Sequence, residues 1–301
     1  MPRDNLSHVA ILEQAPAKIN LALAVVGQRA DGYHLLDSLV TFTAFGDRIG
    51  LTPAAEDRFT LSGRFAGALS ADGDNLVTRA RDGLRTALAD SGQAAPPVHI
   101  HLEKNLPIAS GIGGGSADAA ATLRGLLSLW QAGLPKADLD ALALGLGADV
   151  PMCLAGRPLI ARGVGDDITP VAMPALAMVL ANPLVGVSTP AVFKALASKH
   201  NPPLALAVEP GEPADWIAAI GALRNDLEPP ARRLCPEISL IAQNLAATEA
   251  RVVRMSGSGA TCFALYHAHD AAEAAAARLS ERHPHWFFTA TSTLGASDDA
   301  H

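Results

Sequence analysis

LPIASGIGGGSAD, residues 106–118, is the stretch whose reading decides the fold. Glycine stands at Gly111, Gly113, Gly114 and Gly115, and the run ends in Ser116 where an Ala/Leu-rich segment begins. Residues without Cβ let a backbone turn through positive φ and let its N–H groups approach a ligand closely. The segment that follows repeats Ala120, Leu123, Leu127 and Trp130 at helical spacing, which makes one apolar face. Upstream, Val98, Ile100 and Leu102 alternate with His99 and His101, the period of a strand. Strand, glycine loop and helix in that order put unpaired N–H groups and the positive end of a helix dipole at the loop, a setting that suits phosphate. The loop is not of Walker type, which needs Lys and then Ser or Thr after the last glycine, because Ser116 and Ala117 follow Gly115. Counted from Gly111, Ser116 also stands where the dinucleotide fingerprint needs its third glycine or alanine.

At 301 residues the chain has room for two domains with sizeable cores. A hydrophobic content of 49% with 18% charged residues is that of a globular protein. The formal charge of −7 excludes a general nucleic-acid binder, since no basic field collects phosphates. No apolar run reaches the roughly 18 residues a membrane helix needs, and no signal peptide is expected, because no long apolar stretch precedes Glu13. Cys153, Cys235 and Cys262 are widely spaced and odd in number, so they read as reduced thiols of a cytoplasmic protein. His99 and His101 share one strand face and are expected half-buried or at the surface.

Residues 15–20, APAKIN, run into Leu21, Leu23 and Val25 at period 2, a strand that places Lys18 and Asn20 on one face. Residues 27–38, GQRADGYHLLDS, carry the turn signal Asp31-Gly32, then Tyr33 and His34, before the apolar run 39–45. Spacing leaves two readings of Tyr33-His34 open: a hairpin with an exposed aromatic, or a loop offering a ring and an imidazole to a ligand. Short strands are expected at 47–52 and 59–62. Leu76, Ala80, Leu84 and Leu88 recur at helical spacing, with Asp74 as candidate cap. Beyond the loop helix, Asp138 can cap a second helix running to about Gly147. Asp149 then falls in a tight connection where Pro151 favours an extended Val150, and an aspartate at such a position is more often a turn residue than a catalytic one. The Gly/Pro-dense residues 156–170 read as a domain boundary. In the second half, strands are expected at 177–180, 251–255, 261–266 and 286–290. Thr189-Pro190 is the expected N-cap and first turn of a helix holding Phe193. Further helices are expected at 236–248 and 270–282, a second glycine loop, SGSGA, at 256–260, and an irregular Pro-rich segment at 200–213. The sum is an α+β protein in two domains.

The APAKIN lysine, the PIASGIGGGSAD loop and the SGSGA turn, in this order and spacing, resemble the GHMP kinases, small-molecule kinases named for galactokinase, homoserine kinase, mevalonate kinase and phosphomevalonate kinase. APAKINLAL, GQRADGYHLLDSL, DNLV, LGADVP, GVSTPAVF and NDLE narrow the resemblance to a branch whose substrate bears a cytidine diphosphate, with matches from Pro16 to Gly259. It implies a two-domain α+β GHMP kinase fold with the active site in the cleft between domains. An N-terminal ATP-loop and catalytic domain would span 1–157, and a C-terminal α+β domain 158–301, its last residues packing back on the first. The implied activity is ATP-dependent phosphorylation of an alcohol in non-mevalonate isoprenoid precursor synthesis. It would use Mg2+, in the cytoplasm, in a monomer or weak homodimer with neither nucleic acid nor membrane as partner.

Carried over residue by residue, the resemblance makes Lys18 and Asp149 the catalytic pair. Asp149 takes the proton of the substrate hydroxyl, while Lys18 orients it and favours its charged form. Pro107, Ile108, Ala109, Ser110, Gly111, Ile112, Gly113, Gly114, Gly115, Ser116 and Ala117 wrap the ATP phosphates, with Ser116 also near Mg2+; Asn75 and Lys104 lie by the nucleoside. Tyr33 and Phe193 sandwich the cytosine, His34 bonds its edge, and Asn20 and Thr189 lie near the rest of the substrate. Gly257, Ser258 and Gly259 close the phosphate side. The sequence departs from the pattern locally: Ala109 and Ser110 stand at positions usually glycine or another small residue, Ile112 replaces leucine, and Ala117 stands where serine is common. Other kinases of the family, of homoserine or mevalonate type, fit less well, because an aliphatic substrate gives Tyr33, His34 and Phe193 nothing to stack on. A nucleotide sensor without turnover would not need Lys18 and Asp149.

Overall fold

The computed structural model describes residue 6 and residues 9–69, 75–206 and 211–295. Its elements run β1 Ile11–Gln28, β2 His34–Pro53, β3 Arg58–Ser62, α1 Leu76–Asp90, β4 Val98–Glu103, α2 Gly114–Trp130, α3 Lys136–Leu146, α4 Val150–Ala155, β5 Leu159–Gly163 and β6 Asp167–Pro170. They continue as β7 Ala177–Asn182, α5 Thr189–Lys194, α6 Pro213–Ala222, α7 Glu228–Leu234, α8 Glu237–Ala246, β8 Val252–Met255, β9 Cys262–Tyr266, α9 His269–Arg282 and β10 Phe287–Ser292. These elements make a mixed α+β fold. By contacts the chain divides into two compact units, and the division does not follow a single cut at 157/158. One unit holds the described residues of Met1–Ala17, Gly46–Ile108 and Gly113–Ala155; the other holds those of Lys18–Phe45, Ala109–Ile112 and Gly156–His301. The cause is the length of β1 and β2, 18 and 20 residues, which pair with one another and pass from one unit into the other.

In the first unit, Arg48–Pro53 of β2 runs antiparallel to β4, and β3 lies parallel on the far side of β4. The expected strand at 47–52 is therefore the end of a longer one. Val98, Ile100 and Leu102 are buried, as are Ala80, Leu84 and Leu88 of α1, so these apolar periodicities mark the inward faces; at the start of α1 Val77 is buried and Leu76 only half-buried. Helix α2 lies so close to the sheet that a Cβ on Gly125 would come 2.6 Å from Leu51 Cδ1. Arg124 ties the helix down, donating to Glu13 Oε2 at 3.1 Å and to the carbonyl of Gln14 at 2.8 Å. On the other face of β4, Thr60 Oγ1 lies 2.8 Å from both His99 Nε2 and His101 Nδ1, and Ser62 Oγ lies 2.8 Å from His101 Nε2. His99 is half-buried as expected, but His101 is buried, because the hydroxyls of β3 satisfy both its ring nitrogens.

In the second unit, Leu36–Val40 of β2 pairs antiparallel with β5, which pairs with β6. The Gly/Pro-dense passage is thus mainly a hairpin, and the change of unit falls just before it, at Ala155/Gly156. A four-stranded antiparallel sheet in the order β10-β7-β9-β8 buries Val179, Ala181, Cys262 and Ala264 with Ile238, Ile241 and Leu245 of α8 and Ala272, Ala275 and Leu279 of α9. After β10 the chain returns to β2, where Thr293 bridges Thr43 and the Leu294 N–H donates to the Phe42 carbonyl at 2.7 Å.

Several local expectations change. Asp74 lies outside the described residues, and Asn75 caps α1. Helix α3 begins at Lys136, two residues before Asp138, which sits in its first turn. Val150 is helical rather than extended, since Pro151 in the first turn of α4 has no N–H to leave unpaired. Ser188, not Thr189, caps α5 by accepting from the Ala191 N–H. Helices α6 and α7 were not foreseen; Pro residues mark their first turns, and a proline cluster reads as irregular without tertiary context.

Candidate active site

In the first unit the glycine loop opens into α2 through Gly113, whose φ of 64° and ψ of 21° are left-handed. No side chain caps this helix. At α1, by contrast, Asn75 Oδ1 accepts from the Val77 and Thr78 N–H groups at 3.0 Å each. A Cβ on Gly115 would meet Leu76 Cδ1 at 3.5 Å, so the capped start of α1 lies beside the uncapped start of α2. Pro107 and Ala117 are buried, Ser116 is half-buried and Ile108 is exposed. First-turn N–H groups without a capping side chain are what an anion at a helix start uses.

Beneath that turn lies a buried charge cluster. The Lys104 ammonium donates to Asp47 Oδ2 at 2.5 Å and to Asp118 Oδ2 at 2.6 Å, and a Cβ on Gly114 would stand 3.2 Å from Lys104 Nζ. Asp47 Oδ1 accepts from the Asn105 and Leu106 N–H groups at 2.6 and 2.8 Å, which fixes the entry to the loop. Asp118 Oδ1 is buried without a hydrogen-bond partner. Burial lowers the pKa of Lys104, but the charges of Asp118 and Asp47 outweigh it and hold the ammonium above its usual range. Burial, with the charge of Asp47 added, pushes Asp118 well up, against the pull of Lys104. One ammonium faces two buried carboxyl groups, and at Asp118 burial outweighs its pull.

Residues Ala109–Ile112 of the loop group with the second unit. Ala109, at φ 50°, is left-handed without being glycine, a strain that glycine at this position would not carry. The SGSGA turn holds this apex. The Ser256 hydroxyl donates to the Gly111 carbonyl at 3.2 Å and accepts from the Asn20 N–H at 3.0 Å, and the Thr261 N–H donates to the Ser110 carbonyl at 3.1 Å. A Cβ on Gly111 would come 2.6 Å from the Gly259 carbonyl oxygen. Lys18, buried on β1, donates its backbone N–H to the Ile112 carbonyl at 3.0 Å. Asn20 Nδ2 donates to Ser38 Oγ at 2.8 Å, while Asn20 Oδ1 is buried without a partner. Thr189 Oγ1 lies 2.7 Å from Ser258 Oγ.

Tyr33 and His34 leave the turn that Gly32 makes at φ 93°. Tyr33 is 65% exposed. The His34 ring stacks on Phe193, centroids 4.5 Å apart and planes 26° apart, and its Nε2 is buried without a partner. Burial, and then the charge of Lys199, lowers the His34 pKa, so the ring is neutral at neutral pH. A neutral imidazole with one unsatisfied nitrogen beside an aromatic face suits a planar, hydrogen-bonding ligand.

The second unit thus brings together Lys18, Asn20, Ser110, Gly111, Ile112, Thr189 and Gly257 to Gly259, and separately His34 with Phe193. The first gathers Asn75, Lys104 and Gly114 to Ala117; Asp149, half-buried immediately before α4, belongs to it as well. Sequence reasoning gave no role to Asp47, nor to Ser256 and Asn225 within the SGSGA and NDLE motifs it singled out. Asp47 carried one signal, an acid after an apolar run beside glycine. Ser256 and Asn225 act through atoms far away in sequence.

Two family models match, that of the GHMP kinases N terminal domain over residues 75–157 and that of the GHMP kinases C terminal over residues 204–285. The chain belongs to the GHMP kinases. Within that family it is 61% identical to the 4-diphosphocytidyl-2-C-methyl-D-erythritol kinase of Rhizobium johnstonii, over 98% of this chain and 98% of that one. A crystal structure of 4-(cytidine 5'-diphospho)-2C-methyl-D-erythritol kinase superposes with a TM-score of 0.80 at 35% identity, covering 95% of this chain and all of that one. Homoserine kinase from Cytophaga hutchinsonii, at 21% identity and a TM-score of 0.66 over 96% of each chain, shares the fold.

Proposed function

We propose that this chain transfers the γ-phosphoryl group of ATP to the 2-hydroxyl of 4-diphosphocytidyl-2-C-methyl-D-erythritol, releasing ADP and the 2-phosphate for non-mevalonate isoprenoid precursor synthesis. The observation that carries the kinase chemistry is the uncapped start of α2 at the end of a glycine loop. Near-complete coverage by relatives of one name carries the substrate.

Phosphoryl transfer needs positioning and charge stabilisation more than covalent help. The loop from Pro107 to Ala117 supplies backbone N–H donors to the triphosphate. The ammonium of Lys104, engaged by two carboxylates, contributes by fixing the loop entry rather than as a phosphate ligand. Mg2+ fits the donor chemistry present: Ser116 offers a hydroxyl oxygen, a hard donor, and among the described residues no cluster of His, Cys, Asp and Glu competes for the ion. Held there with the nucleotide, it would supply neutralisation of phosphate charge. Asp149 takes the proton of the acceptor hydroxyl, and Lys18 orients it. His34 and Phe193 receive the cytosine, with Tyr33 free to close on its other face. Asn20 and Thr189 hold the remainder of the acceptor, Asn75 and the backbone of Lys104 lie by the ATP nucleoside, and Gly257 to Gly259 flank the phosphates. No described helix is long and apolar enough to cross a membrane, and the three cysteines are buried thiols, which accords with a reducing cytoplasm.

The test is ADP release with MgATP and 4-diphosphocytidyl-2-C-methyl-D-erythritol, beside homoserine and mevalonate. Turnover is expected with the cytidyl substrate alone, and Asp149→Asn should lower kcat by about 10² to 10⁴. Equal turnover of homoserine would overturn the substrate assignment, and an unimpaired Asp149→Asn enzyme the base assignment.

A further inference from the structure

The segment Asn225-Asp226-Leu227-Glu228 carries no ligand role in the reading above, yet Asn225 and Leu227 are buried and Asp226 and Glu228 half-buried. Asn225 is 5% exposed, and its amide is fully used: Nδ2 donates to the Met255 carbonyl at 2.8 Å and to the Gly257 carbonyl at 2.9 Å, while Oδ1 accepts from the Leu227 N–H at 2.9 Å. The two carbonyls it holds flank Ser256. Glu228 Oε2 accepts from the Met255 N–H at 3.3 Å on the same turn.

The same segment also grips β1. Leu23 donates its N–H to the Arg224 carbonyl at 2.9 Å, Asp226 donates its N–H to the Leu23 carbonyl at 2.9 Å, and Asp226 Oδ2 accepts from the Val25 N–H at 2.8 Å. Leu23 and Asn225 form a parallel bridge, so residues 224–226 act as a short extra strand along β1. Asn20 is on that strand three residues earlier, and its N–H donates to Ser256 Oγ, the hydroxyl that holds the Gly111 carbonyl. Gly257, at φ 55°, stands so close that a Cβ would be 2.9 Å from the Gly111 oxygen. A turn this tight has no slack: a shift of Ser256 moves the loop apex with it.

We propose that Asn225 is a positioning residue for phosphoryl transfer, holding the carbonyls on both sides of Ser256 so that its hydroxyl fixes the glycine-loop apex at Gly111 against β1 at Asn20. Few side chains do this. Two diverging N–H donors and one acceptor on a short stem are the chemistry of an amide; an apolar residue would fill the space but leave two buried carbonyls unpaired. The role rests on the kinase reading given above, because the apex matters for rate only if phosphate is bound there.

The experiment compares Asn225→Asp, nearly the same shape without the donors at neutral pH, with Ser256→Ala and with the double variant. Expected for each single variant is a kcat lower by about 10- to 100-fold, the cost of a small displacement at a reacting centre. KM for the cytidyl acceptor should change less than threefold, with a circular dichroism spectrum like that of the parent. The double variant should be little worse than either single one, since both remove the same constraint. Hydrogen exchange in the ligand-free protein reads the same point without turnover: the amides of Asn20, Ser256 and Gly259 should exchange faster in Asn225→Asp while those of β7 do not change. Parent-like kcat in Asn225→Asp, additive losses in the double variant, or unchanged exchange at these amides would overturn the proposal. A parent protein that does not phosphorylate the cytidyl substrate overturns the kinase reading instead, and the exchange measurement then decides the positioning claim alone. Should Asn225→Asp fail to fold, Ser256→Ala carries the same expectation for kcat and for the Asn20 amide.

Discussion

Asp118 shows how much a single residue can hide. In sequence it is an acid near a helix start, and the dipole alone would account for it. In the fold it is buried with one oxygen on Lys104 and the other without a partner. Its pKa is raised, first by burial and then by Asp47. A carboxyl whose folded pKa lies above its unfolded value of 3.8 contributes stability that is present below that value and lost as pH rises through the folded one. Asparagine has the same shape and no proton to lose. The melting temperature of Asp118→Asn should therefore match that of the parent near pH 4 and exceed it increasingly toward pH 8. Parallel curves for the two proteins across that range would show that Asp118 is ionised in the fold. Asp47→Asn should lower the melting temperature instead, because it leaves Lys104 and the Asn105 and Leu106 N–H groups with a weaker acceptor.

At the scale of elements, sequence periodicity fared best where one face of an element is buried. The inward faces of α1 and β4 were legible because apolar residues recur at 3.6 and 2, and the loop-to-helix junction was legible because consecutive glycines have few other uses. What stayed illegible depends on partners distant in sequence. Pro213, Pro229 and Pro230 looked like breakers until tertiary packing stabilised the helices they open. In the site, motifs could be picked out, SGSGA and NDLE among them, but not what Asp47, Ser256 and Asn225 do, since their hydrogen bonds reach across tens to hundreds of residues. Gly111 makes the point testable. It has φ 75° and no room for a Cβ, which would lie 2.6 Å from the Gly259 oxygen and 2.9 Å from its nitrogen. Both obstacles are backbone and cannot rotate away. Gly111→Ala should cost about 1–3 kcal/mol of stability in a thermal or urea melt, and should raise KM for ATP more than KM for the acceptor. A variant with parent-like stability and KM would mean that the apex can rearrange freely.

For the whole molecule, the informative fact is that its two compact units are not consecutive along the chain. A cut drawn on the sequence near residue 157 follows the motifs, but β1 and β2 each feed both units. β4 depends on Arg48–Pro53 and β5 on Leu36–Val40 of the same strand. Unravelling either half of β2 removes a pairing strand next to the other half, which favours one cooperative transition over two. The cysteines can report on this. Cys153 lies in α4 of the first unit, and Cys235 and Cys262 lie in the second, at 3%, 4% and 0% exposure. Native protein should therefore react with a thiol reagent at almost none of them. In the burial of β9, the Cys262 thiol is also held far above its usual pKa, which suppresses the reactive thiolate further. Pulse labelling along a urea gradient, read by mass spectrometry, should show Cys153 and Cys262 becoming reactive at the same midpoint. If Cys153 labels at distinctly lower urea than Cys262, the first unit opens by itself and the shared strands do not couple the two. Coincident midpoints, together with agreement between labelling and circular dichroism, would make β1 and β2 the elements through which a local change in either unit is felt as a change in the stability of the entire chain.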